Sequence, residues 1–182
     1  MTRVPFATRE AMDAAGQAIW DEIETSRGGV ARNYAALLNN PQAAGAMAGL
    51  GGYARYETPL PARVKALAVL TAAREACGHY VWTVNQGPAR EAGLTDEIIA
   101  AIREYRAPAG FDDADATVVQ FVLELLRQHR ISDATFEAMR ALVGNAGAVD
   151  VLIVSGYYHT LAHCLQALEV ELPEGTTTAL TY

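Results

Sequence analysis

The sequence predicts a single all-α domain built as a helical bundle. Apolar residues recur at intervals of three and four in successive segments, which is the period of a helix buried on one face. No segment sustains the alternation of apolar and polar residues that a strand requires. The chain has 182 residues, of which 51% are hydrophobic and 19% charged, enough to bury one sizeable core. We therefore expect one domain over residues 1–182.

Three helices are predicted in the first third of the chain. The first begins after Thr8, a good N-cap residue, and stops at Gly28. A short second helix covers residues 30–38, and Pro41 occupies a first helical position and opens a third. This third helix consists largely of Ala and Gly, which favours close approach to a neighbouring helix. Two prolines within residues 56–61 then forbid a continuous helix.

A longer helical stretch follows, and it contains the most informative residues. Its apolar positions keep the helical period across residues 64–84. Gly78 is a possible break, and Gly93 supplies the C-terminal stop. Thr95 is predicted to cap a short helix that follows directly.

The last third of the chain is predicted to add three more helices. A loop at residues 108–110 precedes a helix that includes residues 118–126, and Ser132 caps the next one. The final helix runs from about residue 148 to residue 168, and its first half is apolar almost all round. Such a helix is central in a bundle or lies at a subunit interface.

Composition excludes several classes of function. Acidic residues outnumber basic ones, 21 to 14, and a net charge of −7 gives no attraction to phosphate backbones or anionic lipid. We therefore expect no nucleic-acid partner and no membrane partner. The N-terminus lacks an uninterrupted apolar signal segment, so a cytoplasmic location is expected. Cys77 and Cys164 form neither a CxxC pair nor a cluster of zinc spacing, and no disulfide scaffold is indicated.

Three stretches of the sequence, in order and at matching separations, carry a family resemblance. They are Leu60-Pro61-Ala62-Arg63, Tyr80-Val81-Trp82 with Asn85 and the downstream Ala92-Gly93, and Gly156-Tyr157-Tyr158 with Leu172-Pro173. Together they resemble the carboxymuconolactone decarboxylase-like family, which includes the alkylhydroperoxidase-D-type proteins. The resemblance covers roughly residues 30 to 175. It implies a helical bundle of the alkylhydroperoxidase-D-like type and a homo-oligomer, a trimer or a multiple of it.

The sequence departs from that family at the positions that carry chemistry. Ala66 and Val81 stand where the family pattern has Glu, Asn85 stands where it has His, and Gly78 stands where the first redox Cys would align. Thiol peroxidase chemistry needs a reactive thiolate and a second thiol within reach, so we expect none here. Cys77 is more simply interpreted as a small core residue.

Asn85 is the leading candidate for a catalytic residue. It cannot move a proton as the family Glu and His can, but its amide can donate a hydrogen bond to a carbonyl or an oxyanion. The alternative is a polar side chain satisfied inside the bundle. His79 and His163 are candidates for proton transfer, because histidine titrates near neutral pH. His159 and His163 are four residues apart, but no third ligand is evident and no metal is expected.

A substrate-binding set is expected around the same helix face. Arg63 is suited to bind a substrate carboxylate with two hydrogen bonds, although an arginine at the start of a helix is more often a solvated or ion-paired surface group. Trp82 could form a wall against a ring, with Tyr80 and Val81 beside it. A buried pocket is therefore predicted along the helix face that carries these residues: Gly78, Val81, Trp82, Asn85 and Ala89.

Two functions remain open from the sequence. The first is a small-molecule enzyme without a cofactor, namely a lyase, isomerase or cyclase that acts on a cyclic or conjugated, oxygenated substrate by polarisation and proton transfer. The second is a catalytically silent bundle that binds a hydrophobic ligand or serves as an assembly partner. In either case a homo-oligomer is expected, because the third and final helices carry more apolar surface than one bundle can hide.

Overall fold

The computed structural model describes residues 2–106, 111–177 and 180, and within these ranges it contains helices and no strands. The all-α prediction is confirmed. Eight α-helices are described: α1 (Ala14–Arg27), α2 (Arg32–Leu37), α3 (Pro41–Gly52), α4 (Ala62–Glu75), α5 (His79–Glu91), α6 (Asp96–Arg103), α7 (Asp113–Leu123) and α8 (Asp133–Ala167). A 3₁₀ turn precedes α1, and π-helical turns extend α3 over Tyr53–Glu57 and α7 over Glu124–Gln128.

The start of α1 differs from the sequence prediction. Thr8 precedes the 3₁₀ turn Arg9–Ala11 and makes no side-chain cap, so the predicted N-cap is wrong. Asp13 caps α1 instead, because its carboxylate accepts a hydrogen bond from the Gly16 amide at 2.8 Å. The predicted end is correct, since Gly28 adopts a left-handed conformation with φ 72° directly after the helix.

Helix α3 begins at Pro41 as predicted, and Asn40 caps it by accepting a hydrogen bond from the Ala43 amide at 3.2 Å. Its small residues allow close packing against α8. A Cβ atom added at Gly51 would overlap the hydroxyl of Tyr157, so α3 and α8 approach at a point where only glycine fits. This contact brings the end of α3 beside the tyrosines of α8.

Helices α4 and α8 form the centre of the bundle. Helix α4 packs against α5, α7 and α8, and several of its residues are fully buried: Leu67, Ala68, Leu70, Ala72 and Ala73. The chain breaks between α4 and α5 at Cys77, a non-glycine residue with φ 48°, and Gly78 then precedes α5. A Cβ atom at Gly78 would overlap that of Ala162, so the predicted break coincides with close packing on α8.

Helix α8 is capped by Ser132 as predicted, and its backbone is broken at Gly144, where φ is 73° and ψ is 177°. The segment after this break corresponds to the predicted final helix. Among the described residues, α8 alone is long and apolar enough to cross a membrane, but length and composition do not separate a membrane span from a core helix. Val151, Val154 and Leu165 lie in the core, which favours a core helix.

A buried carboxylate joins the end of α7 to the start of α8. Glu124 accepts hydrogen bonds from Gln120 Nε2 at 2.9 Å, from the Ser132 amide at 2.7 Å and from Thr135 Oγ1 at 2.8 Å. These bonds, led by that from Gln120, lower the pKa of Glu124 to about 2. The predicted loop at residues 108–110, before α7, lies outside the described residues.

Candidate functional site

Two cavities meet at Asn85 on α5. The first has a volume of about 240 Å³ and is called here the tyrosine cavity, after Tyr34, Tyr80 and Tyr157 in its wall. The second has a volume of about 220 Å³ and is called the alanine cavity, after the alanines of α4 and α5 that line it. The two share a wall made of these residues: Arg55, Tyr56, Asn85 and Tyr158. A cavity beside Asn85 is therefore present, as the helix-face pattern predicts.

The tyrosine cavity concentrates aromatic hydroxyl groups. The chain has eight tyrosines, and five of them are among the described residues that line this cavity: Tyr34, Tyr56, Tyr80, Tyr157 and Tyr158. The hydroxyl groups of Tyr34 and Tyr157 share a hydrogen bond of 3.1 Å. The guanidinium of Arg27 lies 4.7 Å from the centre of the Tyr34 ring, in cation–π contact. The cavity thus offers flat apolar faces and hydroxyl groups to a ring.

Three of these hydroxyl groups, those of Tyr80, Tyr157 and Tyr158, have raised pKa values and stay protonated at neutral pH. Burial raises the pKa of Tyr157, and the hydroxyl of Tyr34 raises it further. Burial also raises the pKa of Tyr158, against the opposing effect of the Arg55 charge. The pKa of Tyr80 is raised by its burial as well. These three tyrosines are therefore hydrogen-bond donors to a ligand rather than bases.

The alanine cavity has a narrower, more apolar lining. Ala62 and Ala66 of α4 face Ala89 and Ala92 at the end of α5, with Val69 and Pro88 beside them. Lys65 is the exception, and its Nζ donates a hydrogen bond of 2.8 Å to the backbone oxygen of Arg55. Burial and the nearby charge of Arg55 lower the pKa of Lys65.

The charge of the cavities is opposite to that of the whole protein. Arg27, Arg55 and Lys65 are among the described residues that line the two cavities, and no Asp or Glu is among them. The chain as a whole carries a net charge of −7. Because an unpaired cation near a cavity attracts a negative ligand, the site favours an anionic group.

Asn85 is buried with one hydrogen bond fixed. Its Nδ2 donates to the backbone oxygen of Val81, one turn earlier, at 2.7 Å. One amide N–H and the carbonyl oxygen remain for a ligand in either cavity. Asn33 Oδ1, in the wall of the tyrosine cavity, is a buried acceptor without a hydrogen-bond partner among the described residues. Polar atoms of a bound ligand could satisfy both side chains.

The structure separates the predicted substrate-binding residues. Tyr80 and Val81 line the tyrosine cavity. Trp82 lies outside both cavities, fully buried in the core, so it forms no wall there. Arg63 also lies outside them, because its Nε and Nη2 bind the two oxygens of Asp115 at 2.8 and 2.6 Å and its Nη1 binds the Gly93 oxygen. Of the two interpretations of Arg63, the geometry favours the ion pair.

The candidate histidines lie away from Asn85. His79 borders a separate groove with residues 165–172, and burial followed by the charge of Arg74 lowers its pKa. His163 is exposed and stacks edge-on against His159, with ring centres 4.3 Å apart. Neither lines a cavity that contains Asn85. No cluster of three or more His, Cys, Asp or Glu side chains suited to a metal occurs in the described part of the chain.

Sequence analysis overlooked Arg55, Lys65 and the tyrosines of α2 and α8. Tyr157 and Tyr158 belong to a motif that carries the family resemblance, but that motif by itself assigns them no role. A stronger signal was present in the composition, because Lys65 is the only lysine among 14 basic residues. An isolated lysine on an apolar helix is a reason to examine its surroundings.

Comparison with solved structures places the chain in a known fold class. A peroxidase-related protein from Ralstonia eutropha JMP134, described as an alkylhydroperoxidase AhpD core, superposes with a TM-score of 0.78. It is 14% identical, with 95% of this chain and 93% of that chain covered. A putative antioxidant defence protein AhpD from Agrobacterium tumefaciens has a TM-score of 0.66 and 17% identity, over 74% of this chain and 93% of the other. The chain therefore has the helical-bundle fold of the alkylhydroperoxidase-D-like proteins, as the resemblance predicts.

A debrominase, Bmp8, shares this fold. In complex with 2,3,4-tribromopyrrole, as a variant with cysteine replaced by alanine, it superposes with a TM-score of 0.72 and 13% identity. The match covers 95% of this chain and 91% of the debrominase. No family model matches the sequence, and no curated protein matches it. The similarity to these proteins is one of fold.

Proposed function

We propose that the protein is a cofactor-independent enzyme of the lyase or isomerase type that acts on a small, anionic, oxygenated ring compound. The observation that carries this proposal is the shared wall, where Arg55, Asn85 and Tyr158 converge between two cavities. These side chains provide a cation, an amide and a hydroxyl group to both cavities. Such a set can bind an anion and polarise a neighbouring carbonyl.

Each residue of the wall has a distinct role in this proposal. Arg55 binds the anionic group of the substrate, and the tyrosine rings hold the ring system by stacking. The remaining N–H of Asn85 donates to a carbonyl oxygen on which negative charge develops. Lys65 is the one side chain of the lining whose pKa moves toward neutrality, so it is suited to accept or return the proton.

Fold neighbours give this proposal limited support. The debrominase Bmp8 binds 2,3,4-tribromopyrrole, a small unsaturated ring. We infer that the same bundle in this chain accommodates a ring of comparable size in the tyrosine cavity. Cys77 and Cys164 are free thiols that lie outside the lining of both cavities.

Binding of a matched pair of probes tests the charge preference. The probes are 4-hydroxybenzoate and 4-hydroxybenzamide, which differ in charge and hardly in shape. We expect the carboxylate to bind more tightly by on the order of tenfold, the effect of one charge-assisted hydrogen bond. Arg55→Met should abolish the difference, and Arg90→Met, at an exposed position outside the lining of both cavities, should keep it. Equal affinity of the wild-type protein for the two probes would contradict the proposal.

Asn85→Ala tests catalysis once a converted compound has been found. Loss of a hydrogen bond made in the transition state should reduce turnover on the order of tenfold to a thousandfold, with little change in stability. Steady-state kinetics with a mass-spectrometric product assay measure this. Full turnover by the variant would remove Asn85 from the mechanism.

A non-catalytic binding protein is the second candidate. One observation favours it: among the described residues that line the two cavities there is no His, Cys, Asp or Glu. In that case the probes should bind with the same charge preference, and no compound should be converted. Asn85→Ala should then change only the dissociation constant.

A further inference from the structure

Lys65 is chemically unusual in this chain. The protein has 14 basic residues, and Lys65 is the only lysine, the other basic residues being arginines. Arginine stays protonated in proteins, whereas a lysine can lose its proton when it is buried. Lys65 is half-buried in the first turn of α4 and faces the alanine cavity. The chain's single ε-amine therefore lies in a cavity where a small molecule fits.

The surroundings of Lys65 favour the neutral amine. The described lining of the alanine cavity has Arg55, Tyr56 and Tyr158 as its other charged or titratable groups, and no carboxylate. Apart from Asn85, the rest of the lining is apolar, which reduces the solvation of an ammonium group there. Both effects lower the pKa of Lys65, burial most and the charge of Arg55 next. A lysine desolvated beside a second cation is a recognised type of activated nucleophile.

The amine is also held in place. Nζ donates one hydrogen bond of 2.8 Å to the backbone oxygen of Arg55, which lies in the wall shared by the two cavities. A neutral amine can make this bond with one N–H and still direct its lone pair elsewhere. The same bond places Nζ next to the residue proposed to bind the anionic group of a ligand.

We propose that Lys65 is a nucleophile that forms an imine with a small carbonyl compound bound in the alanine cavity. This inference rests on the proposed function and names its chemistry. The nitrogen lone pair attacks the carbonyl carbon and a C–N bond forms. The nitrogen then loses its two protons, and the carbonyl oxygen leaves as water. The step needs no oxidant and no reductant.

The cavity also defines the class of carbonyl compound. Its volume of about 220 Å³ and its alanine walls suit a short aliphatic or cyclic ketone or aldehyde. The adjacent guanidinium of Arg55 suits a carboxylate on the same molecule. The ligand class is therefore a small oxo acid, in which the carbonyl reaches Lys65 while the carboxylate reaches Arg55. When the imine nitrogen takes up a proton from water, the resulting iminium withdraws electrons, which would assist loss of carbon dioxide or proton movement at the neighbouring carbon.

Reductive trapping tests this proposal directly. The folded protein is incubated with acetoacetate and sodium cyanoborohydride at neutral pH, and peptide mass spectrometry locates the adduct. Because the chain has one lysine, the amino terminus is the only competing primary amine. We expect an adduct at Lys65 that forms on the order of tenfold faster than at Lys65 of the same chain unfolded in urea. Lys65→Arg should give no adduct beyond the amino terminus.

The pH dependence separates activation from simple exposure. The rate of adduct formation at Lys65 should have a midpoint below 10.5, the ordinary pKa of a lysine, and Arg55→Met should raise this midpoint. An adduct found only at the amino terminus, or equal rates in folded and unfolded chains, would overturn the proposal. If no imine forms but the carboxylate probe still binds better than the amide, only the nucleophile is wrong. If the binding preference is also missing, the proposed function fails with it.

Discussion

The ion pair between Arg63 and Asp115 joins the start of α4 to the first turn of α7. The Asp115 side chain is 3% exposed and that of Arg63 is 35% exposed. We expect Arg63→Met to lower the free energy of unfolding by about 2 kcal/mol, less than for a fully buried pair because Arg63 is partly solvated. Urea unfolding measures this. Arg90→Met, which breaks an exposed pair with Asp96, is the control and should cost below about 1 kcal/mol.

The same variant tests the hypothesis that Arg63 binds the substrate. If the ion pair is its role, Arg63→Met should bind 4-hydroxybenzoate like the wild-type protein at temperatures where both are folded. A loss of carboxylate binding comparable to that of Arg55→Met would restore Arg63 to the site. Similar stability of Arg63→Met and Arg90→Met would contradict the structural role.

Glu124 predicts an acid-sensitive junction between α7 and α8. Its pKa is lowered from 4.5 to about 2 in the folded protein, chiefly by the hydrogen bond from Gln120. A lowered folded-state pKa means that this contribution to stability is fully present above pH 4.5 and is lost as the pH falls toward 2. We expect Glu124→Gln to melt several degrees lower than the wild-type protein at pH 7. The difference in melting temperature should shrink between pH 4.5 and pH 2, which calorimetry measures. A difference that stays constant over this range would show that the charge of Glu124 does not stabilise the fold.

At the residue level, sequence reasoning found only part of the site. Asn85 and Val81 could be predicted because they stand at motif positions of the resembled family. Tyr34 and Tyr157 could not be paired, because 123 residues separate them and only the packing of α2 near α8 brings their hydroxyl groups together. Lys65 is close to Arg63 in the sequence, and a lysine in the first turn of a helix is usually a surface residue. Only the structure shows that it lines a cavity together with alanines of α4 and α5.

Helix α3 offers a matched test of close packing. At Gly51 an added Cβ would overlap the hydroxyl and ring of Tyr157, whereas at Gly49, on the same helix, it would meet nothing within 4 Å. We expect Gly51→Ala to cost about 1–3 kcal/mol and to disturb the tyrosine cavity. Gly49→Ala should leave stability unchanged or raise it by up to about 1 kcal/mol. Thermal melting and 4-hydroxybenzoate binding measure both; equal effects would contradict the packing of α3 on α8.

Element boundaries were predictable where local chemistry decides them. Helix α3 begins at Pro41, and the side chains of Thr95 and Ser132 cap α6 and α8, all as predicted. The predicted start of α1 was wrong because Thr8 and Asp13 are both good cap residues, and in the structure a 3₁₀ turn separates Thr8 from the helix that Asp13 caps. The sequence predicts one helix capped by Ser132 and a separate helix from about residue 148, whereas the structure joins the two into α8 and marks the boundary only by a backbone break at Gly144.

At the scale of the whole molecule, the net charge and the local charge of the cavities have opposite signs and favour different ligands. The net charge of −7 opposes non-specific binding of large polyanions, whereas Arg27, Arg55 and Lys65 give the cavities a local positive charge. A small anion can approach these cations closely even though the protein as a whole carries a net negative charge. The fold could be predicted from helical period and motif order, but this separation of charge depends on which side chains meet in three dimensions.

The exposed face of α8 supports the prediction of a homo-oligomer, a trimer or a multiple of it. Val149 and Ile153, one turn apart on this helix, are 54% and 38% exposed. Leu50 on α3 is 43% exposed as well. Large apolar side chains that recur on one face of the longest helix are costly to leave in water. We therefore expect light scattering to give a multiple of 19.5 kDa at micromolar concentration.

Charged substitutions on that face test which helix forms the contact. Val149→Glu combined with Ile153→Glu should dissociate the oligomer to a species of 19.5 kDa, because each carboxylate would have to lose its water in the interface. Ala116→Glu combined with Gln128→Glu adds the same charge at exposed positions elsewhere and should leave the assembly intact. Circular dichroism checks that both variants keep their helices. A wild-type monomer would refute the oligomer, whereas an unchanged assembly of the Val149 and Ile153 variant would move the interface to another surface.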